Sequence, residues 1–255
     1  MSLEIKQNIL GGQSLWISPR ADLSDVPSPY RELLRDEHRH AFTNAAAYFG
    51  QLAETCELDG MKQWLAEIAK SGRCGLQVHM ADMFGSHQED VLVRGFLPSG
   101  PEEFTDFRIQ TFMGGSPRIS DPLDSESEML VRSFGQQDVA SLPDPLRMMY
   151  ELIDGTVDSG FGEAGGINSI GDLYYRYVAG GLPIEEGTPP ELLESPIFYG
   201  NPCGDTLVAC GGKAYWYLHE ICGFREAGEL FAVVSGYFHA ILDGREWLGD
   251  PYANL

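Results

Sequence analysis

The chain has 255 residues, of which 43% are hydrophobic and 11% aromatic, and its formal net charge is −21. The length allows one large domain or two small ones, and the composition is that of a folded globular protein. The longest apolar stretch, residues 230–242, falls short of the ~20 residues that span a bilayer, and no basic start with an apolar core marks a signal peptide. We therefore expect a cytoplasmic protein without a membrane segment.

The negative charge is concentrated in the second half of the chain. Residues 1–120 carry 11 basic and 16 acidic side chains, a net charge of −5, whereas residues 121–255 carry 6 and 22, a net charge of −16. A field of this sign repels nucleic acid and anionic membranes, and it speeds the encounter with a basic partner. The alternative is that the acidic side chains only keep the protein soluble.

The first half contains helical spacing followed by strand-like runs. Ser28 and Pro29 form a helix-start signal, and the apolar spacing after them predicts one long helix to about residue 57. A shorter helix follows Asp59 and Gly60 and ends by residue 71. Strands are predicted over residues 76–84, 90–97 and 104–113. This order predicts an α+β fold with a helical pair and an antiparallel meander, and the lack of crossover helices argues against a Rossmann-type sheet.

A segment rich in Pro, Ser and acidic residues separates the two halves. Residues 117–128 have the sequence PRISDPLDSESE, which is typical of a linker. We place a domain boundary there, near Asp121. The prediction is an α+β domain of unknown role over residues 1–120 and a second domain over residues 121–255.

The second half predicts a hairpin covered by a helix. Residues 206–210 form an apolar run, and residues 214–219 alternate with strand period, so that Trp216 lies on the face opposite Tyr215 and Tyr217. The Gly-Gly-Lys sequence between the two runs indicates a tight hairpin. From Leu230 onward the apolar residues recur at three- and four-residue steps, which predicts a helix that covers one face of the hairpin.

These elements, together with Gly204-Asp205-Thr206-Leu207, resemble the SUKH superfamily. Further resemblance lies in Leu142-Pro143, the helical run 146–153, Asp154-Gly155, and the Gly-rich turn and short strand of residues 165–174. The likeness spans about residues 125–248, and residues 174–197 do not follow the family's pattern. It implies an antiparallel sheet flanked by helices, with Gly204, Asp205 and Trp216 as structural signature residues.

The superfamily includes a fungal cell-wall synthesis regulator and bacterial immunity proteins that neutralise secreted toxins. The resemblance implies that Asp205 lies in a turn at the start of a strand, where its side chain can bond neighbouring backbone amides.

Residues 182–196 (LPIEEGTPPELLESP) form the candidate partner-binding segment. Prolines limit its conformational freedom, so that binding through it loses less entropy than binding through a flexible loop. Its carboxylates can meet a basic surface, or the segment can be only a solvated connector. The candidate binding residues are Glu185, Glu186, Glu191 and Glu194.

No motif predicts a catalytic residue, a metal or a cofactor. Residues 160–165 match GxGxxG, but a probable helix and a polar stretch precede them instead of a strand, and Glu163 would repel phosphate, so a turn is the favoured interpretation. Cys203 and Cys210 are too far apart for a deaminase zinc motif. The five cysteines show no close-paired spacing, which favours isolated thiols over a disulfide framework.

The spacing of the histidines does not predict a metal site. His38 and His40 lie two apart on a predicted helix and point in divergent directions, which favours a solvated helix face. His79 and His87 flank a predicted turn, with no third ligand at recognisable spacing.

The expected function is therefore that of a non-enzymatic immunity protein that occludes a basic toxin domain and binds neither nucleic acid nor membrane; its oligomeric state is open. Two alternatives remain. One is an intracellular scaffold or regulator of the same fold. The other is an enzyme whose dispersed histidines and carboxylates assemble only in three dimensions. A pocket with a carboxylate and two or more of four histidines would favour the enzyme: His79, His87, His219 and His239.

Replacing Trp216 with Ala is expected to lower the free energy of unfolding by ~3–5 kcal/mol, the usual loss for a buried large aromatic side chain. Chemical denaturation followed by circular dichroism measures the change. An unchanged midpoint would show that Trp216 does not belong to the core.

Overall fold

The computed structural model describes part of the chain. The described residues are 4–7, 13–17, 24, 39–40, 43–71, 73–81, 88–98, 107–112, 136–153, 155–158, 166–168, 173, 185–201, 203–243, 247–248 and 251–252, with residue 154 outside. The predicted helix start at Ser28 and the predicted linker over residues 117–128 lie outside them. No helix in this described part has both the length and the apolar character needed to cross a membrane.

Two helices in the first half confirm the predicted helical pair. The first, α1, spans Ala45–Thr55, and the second, α2, spans Asp59–Ser71. Helical residues precede Asn44, but its backbone leaves the helical region (φ −145°) and its side chain accepts a hydrogen bond from the Ala47 amide at 3.3 Å. The helix therefore starts anew at Ala45, because Asn44 acts as an N-cap, and does not run unbroken to residue 57.

The predicted meander is present and is part of a larger antiparallel sheet. Its strands are β1 (Glu4–Gln7), β2 (Gln13–Ile17), β3 (Arg73–Ala81), β4 (Gln88–Pro98), β5 (Phe107–Phe112) and β6 (Thr156–Asp158). Their spatial order follows the chain, from β1 to β6. The sequence did not predict β1 and β2, and β6 comes from beyond the expected domain boundary.

The second half forms another antiparallel sheet with helices beside it. Its elements are a 3-10 helix (Gln136–Ser141), α3 (Leu146–Tyr150), β7 (Gly166–Ile167), α4 (Pro190–Leu193), β8 (Ile197–Gly200), β9 (Thr206–Cys210), β10 (Lys213–Leu218), β11 (Gly223–Glu229) and α5 (Leu230–Asp243). The strands lie in the order β7-β8-β9-β10-β11. The predicted hairpin is β9–β10, in which Leu207 pairs with Trp216.

The turn of this hairpin explains why its two glycines are needed. Gly211 and Gly212 both have positive φ, +57° and +82°. Two successive positive φ angles match the right-handed twist of the flanking strands, and glycine adopts them without steric cost. The conformation of this turn therefore fixes the pairing register of β9 with β10. That register in turn positions the residues at the other end of the two strands.

Helix α5 lies between α2 and the second sheet, and it joins them into one core. Trp64 of α2 packs on Phe238 of α5 with ring centroids 5.1 Å apart. Trp216 of β10 belongs to the same cluster of buried side chains and is 7% exposed. Side chains from before and after Asp121 thus share one core in the described residues, whereas the division of the chain into two domains stays a prediction.

The opposite face of the second sheet carries a smaller apolar cluster. Tyr217 of β10 packs there with Ile197 and Val208, and α4 contributes Leu192. Trp216 and Tyr217 therefore face opposite sides of the sheet, as strand alternation requires. This second cluster fixes α4 against the sheet, and with it the described part, residues 185–196, of the candidate partner-binding segment; we call this part the acidic segment.

The contact between α2 and α5 is close at Gly60. The Gly60 amide donates to Ser235 Oγ at 3.0 Å, and a Cβ on Gly60 would collide with the carbonyl oxygen of Ser235. Because the obstacle is backbone, a larger residue must push the helices apart. In α1, Gly50 is different, since an added Cβ would meet only the Ala69 Cβ at 4.0 Å.

Gly60→Ala is expected to lower the free energy of unfolding by ~1–3 kcal/mol through overpacking. Gly50→Ala, the matched control, is expected to raise it by ~0.5–1 kcal/mol, because alanine is the better helix former. Urea denaturation of the full chain measures both. Equal effects of the two substitutions would contradict the close approach of α2 and α5.

Candidate functional site

The acidic segment lies on the surface beside the second sheet. Glu185, Glu186, Glu191 and Glu194 are all exposed. Glu191 lies in α4, and Glu194 directly follows it. The four predicted binding residues therefore lie on one connection, and their carboxylates are exposed to water.

This segment has internal hydrogen bonds and an apolar anchor. The Thr188 hydroxyl donates to the Glu185 carbonyl at 2.7 Å, and the Ser195 hydroxyl donates to the Glu191 carbonyl at 2.7 Å. Leu192 is buried in the smaller cluster. The carboxylates therefore extend from an ordered backbone, which lowers the entropy lost when a partner binds.

Glu185 also contacts the turn and the edge strand of the sheet. Its amide donates to the Cys222 carbonyl at 2.9 Å, and its Oε2 lies 3.4 Å from a guanidinium nitrogen of Arg225. Both side chains of this ion pair are about half-exposed, so water screens the attraction and the pair adds little stability. Glu186, Glu191 and Glu194 form no ion pair with the described residues.

The signature residues Gly204 and Asp205 form a tight turn before β9. Gly204 has a φ of +97°, and its amide donates to the Asn201 carbonyl at 3.1 Å. The Asp205 amide donates to Asn201 Oδ1 at 2.9 Å, and the Asn201 amide donates to the Asp205 carbonyl at 2.9 Å. These bonds orient the Asp205 side chain into the protein, where it is 2% exposed.

The Asp205 carboxylate accepts four hydrogen bonds from three parts of the chain. Oδ1 accepts from the His219 amide at 3.1 Å, from His219 Nδ1 at 2.8 Å and from the Tyr252 hydroxyl at 2.7 Å. Oδ2 accepts from Asn201 Nδ2 at 3.1 Å. The sequence predicted bonds to neighbouring amides, but the amide bonded by this carboxylate belongs to His219, across the hairpin.

These contacts shift the pKa values of Asp205 and Tyr252. Burial of Asp205 raises the pKa of its carboxyl, but hydrogen bonds from His219, Tyr252 and Asn201 together outweigh that effect and lower the pKa below its ordinary value. Burial and the bond to Asp205 raise the pKa of Tyr252 to about 12, so this hydroxyl stays protonated as a donor. The carboxylate is therefore ionised at neutral pH and can only accept hydrogen bonds.

An ionised Asp205 fixes the tautomer of His219. Because the carboxylate only accepts, we assign a proton to Nδ1, so the neutral tautomer of this ring has its acceptor at Nε2. The ring lies beside Gly204, where an added Cβ would be 3.6 Å from it, and the side chain is 40% exposed. His219 opens a four-residue turn, residues 219–222, that also presents the exposed Ile221.

The other candidate chemical groups do not assemble into a site within the described residues. His239 lies 3.6 Å from Asp59, so it has a different carboxylate neighbour from His219. Across the described stretches, no three His, Cys, Asp or Glu residues are placed to hold a metal ion. The GxGxxG match at residues 160–165, His38, His87 and the side chain of His79 lie outside the description.

Comparison of the chain with protein-family models, with curated proteins and with solved structures gives no match. A function for this chain is therefore inferred from its own residues: the anchored acidic segment, the turn over residues 219–222 and the Asp205 hydrogen-bond cluster beneath that turn.

Asp205→Asn is expected to lower the free energy of unfolding at pH 7 by ~1–3 kcal/mol, because the new amide cannot accept every bond that the carboxylate accepts. The lowered pKa of Asp205 adds stability that is present above its unfolded pKa, ~3.9, and is lost as the pH falls through the folded value. The difference between the wild type and the variant should therefore shrink below about pH 4.

Urea denaturation from pH 7 to pH 3 measures this difference, with the exposed Glu194→Gln as the control that should leave stability nearly unchanged. A stability difference that does not depend on pH would contradict the assigned charge of Asp205.

Proposed function

We propose that the chain is a non-enzymatic, cytoplasmic binding protein of the SUKH type, an immunity protein that neutralises a basic toxin domain by direct occlusion. The observation that carries the proposal is the anchored segment with four exposed carboxylates, in a half of the chain whose net charge is −16. An acidic surface on an ordered backbone is suited to a basic protein partner and repels nucleic acid.

The order of elements supports the SUKH part of the proposal. A short helix at Leu146–Tyr150 is followed by the short strand β7, and the hairpin β9–β10 leads through β11 into the apolar helix α5. The resemblance was inferred from the short helix, the short strand, the hairpin and the apolar helix, whereas β6 and β11 were not predicted. The turn at Gly204-Asp205, with its buried carboxylate, gives those signature residues a structural role.

The physical basis of neutralisation is electrostatic matching. A nuclease or another toxin that acts on anions must display a basic surface, and an acidic inhibitor can cover it. Attraction between the two proteins raises the rate of encounter, which matters for an inhibitor that must act before its target does. A scaffold or regulator of the same fold remains the second hypothesis, with the same surface and a different partner.

One observation favours the enzyme hypothesis: buried Asp205 forms a hydrogen bond with half-exposed His219. A carboxylate that orients an imidazole is a frequent arrangement in general base catalysis. The criterion of two or more histidines with one carboxylate is not met in the described residues, because His239 neighbours Asp59 instead. Binding therefore remains the better-supported proposal.

Co-expression with toxin genes from the same locus tests the function directly. The chain should restore growth to cells that make its cognate toxin, and the purified proteins should form a complex in which the toxin's activity is blocked. Failure to protect against every neighbouring toxin would overturn the immunity role. A complex that leaves the toxin fully active would overturn occlusion.

Reversing Glu186 and Glu191 to Lys is expected to slow association with the toxin by about tenfold at low salt and to flatten the salt dependence of the on-rate, since steering depends on local charge. Stopped-flow binding over a salt series measures both quantities. Reversing Glu54 and Glu57, two exposed carboxylates of the α1 region, changes the net charge equally and serves as the matched control. Equal slowing by the two pairs would assign the effect to net charge alone.

A further inference from the structure

The turn over residues 219–222 is held in one conformation from several sides. Asp205 accepts hydrogen bonds from both the amide and the ring of His219. Cys222 adopts a left-handed backbone conformation with φ +54°, and its carbonyl accepts a bond from the Glu185 amide. A turn fixed in this way presents its side chains without a large loss of entropy when a ligand binds.

This turn presents one apolar side chain among hydrogen-bond acceptors. Ile221 is 40% exposed, and in the described part of the chain only Phe231 is a further exposed large hydrophobic residue. In its neutral tautomer His219 has a hydrogen-bond acceptor at Nε2, and Glu220 is exposed. The Cα atoms of His219 and Ile221 are at most about 7 Å apart, because only one residue separates them.

Glu185 completes this surface because residue 223 is glycine. The position of a Cβ on Gly223 would lie 2.7 Å from Glu185 Oε2 and 3.6 Å from Ile221 Cδ1. The carboxylate and the end of the Ile221 side chain therefore lie side by side over the backbone of Gly223. A side chain at that position would push the Glu185 carboxylate away.

Acceptors around an apolar side chain suit a cation with an aliphatic stem. Lysine and arginine bury their methylene groups against apolar surface and direct the charged end to acceptors. The chain already places one guanidinium there, since Arg225 lies 3.4 Å from Glu185 Oε2. That distance is long for a charge-assisted hydrogen bond, so a better-placed guanidinium can displace it.

We propose that His219, Ile221 and Glu185 form the contact point for an arginine or lysine side chain of a protein partner. The proposal deepens and rests on the proposed function, because it names the residue type that a basic toxin domain uses to bind. An anionic ligand would be repelled by Glu185 and Glu220. A purely apolar partner would bury the exposed Glu220 carboxylate without a counter-ion, at a high desolvation cost.

The probe for this site is a blocked peptide, acetyl-Gly-Arg-Gly-amide, titrated into the isotopically labelled full chain and followed by amide NMR shifts. The expected result is a saturable set of shifts at residues 219–223 and at Glu185. The same peptide with citrulline has nearly the same shape but no charge, and it should give no such set. Equal shifts with both peptides, or shifts spread over all exposed carboxylates, would overturn the proposal.

Three substitutions in the site should weaken peptide binding. Glu185→Gln should weaken it by about two- to fivefold, the range that one exposed ion pair supplies. Ile221→Ser should also weaken it, because it removes the apolar contact for the methylene groups of the bound side chain. Gly223→Ala should weaken it too, although it leaves every charge in place, because it displaces the Glu185 carboxylate. Glu54→Gln, an exposed carboxylate of α1, and Phe231→Ser are the matched controls and should leave the affinity unchanged.

Arg225→Gln should tighten peptide binding, because it removes the internal competitor for Glu185. Lys70→Gln is the control, since it makes the same change in charge and also releases a carboxylate from a salt bridge, that of Glu67. Tightening by both variants alike, or by neither, would overturn the specific role of Arg225 and Glu185.

The site and the proposed function fail in distinguishable ways. If the chain neutralises a toxin and neither Glu185→Gln nor Ile221→Ser alters that binding, the contact point is wrong and the immunity role stands. If the arginine peptide binds at residues 219–223 but no neighbouring toxin is neutralised, the contact point stands and the immunity role is wrong.

Discussion

The buried carboxylate of Asp205 connects three segments that are distant in sequence. It bonds Asn201 at the turn before β9, His219 at the turn after β10, and Tyr252 beyond α5. One ionised group can hold three segments because a carboxylate has several acceptor positions, and here all donors approach without a competing cation. This buried charge fixes the His219 end of the exposed turn, while the Glu185 amide bonds its other end at Cys222.

Helix α5 connects distant segments of the chain through the apolar core. One side of it packs on α2 through the close approach at Gly60, and Tyr237 contacts Tyr199 of the sheet with ring centroids 6.0 Å apart. The Tyr237 hydroxyl also shares a hydrogen bond with Thr156, at the start of β6, which belongs to the first sheet. The helix therefore contacts elements from both halves of the sequence.

The parts of the fold that depend on local pattern could be predicted from the sequence. Helical spacing identified α1, α2 and α5, and alternation with a Gly-Gly turn identified the hairpin β9–β10. Strands β1 and β2 could not be predicted, because such short strands owe their stability to pairing with distant segments and not to their own composition.

The contacts of the Asp205 cluster could also be predicted from the sequence only in part. Hairpin register alone brings Asp205 close to His219, since Thr206 pairs with Tyr217. In contrast, the contact of Tyr252 with Asp205 spans 47 residues and has no local signal.

The fixed tautomer of His219 has a spectroscopic consequence. A ring proton on Nδ1 that is bonded to a buried carboxylate is shielded from solvent exchange, so it should give a separate downfield resonance, whereas rings in free exchange lose theirs. In the neutral tautomer the two ring nitrogens are also magnetically distinct, because one carries hydrogen and the other carries a lone pair. A donor that approaches Nε2 would shift the nitrogen resonance of that atom more than that of Nδ1. The imidazole is thus an intrinsic reporter of occupancy at the turn, and it requires no attached label.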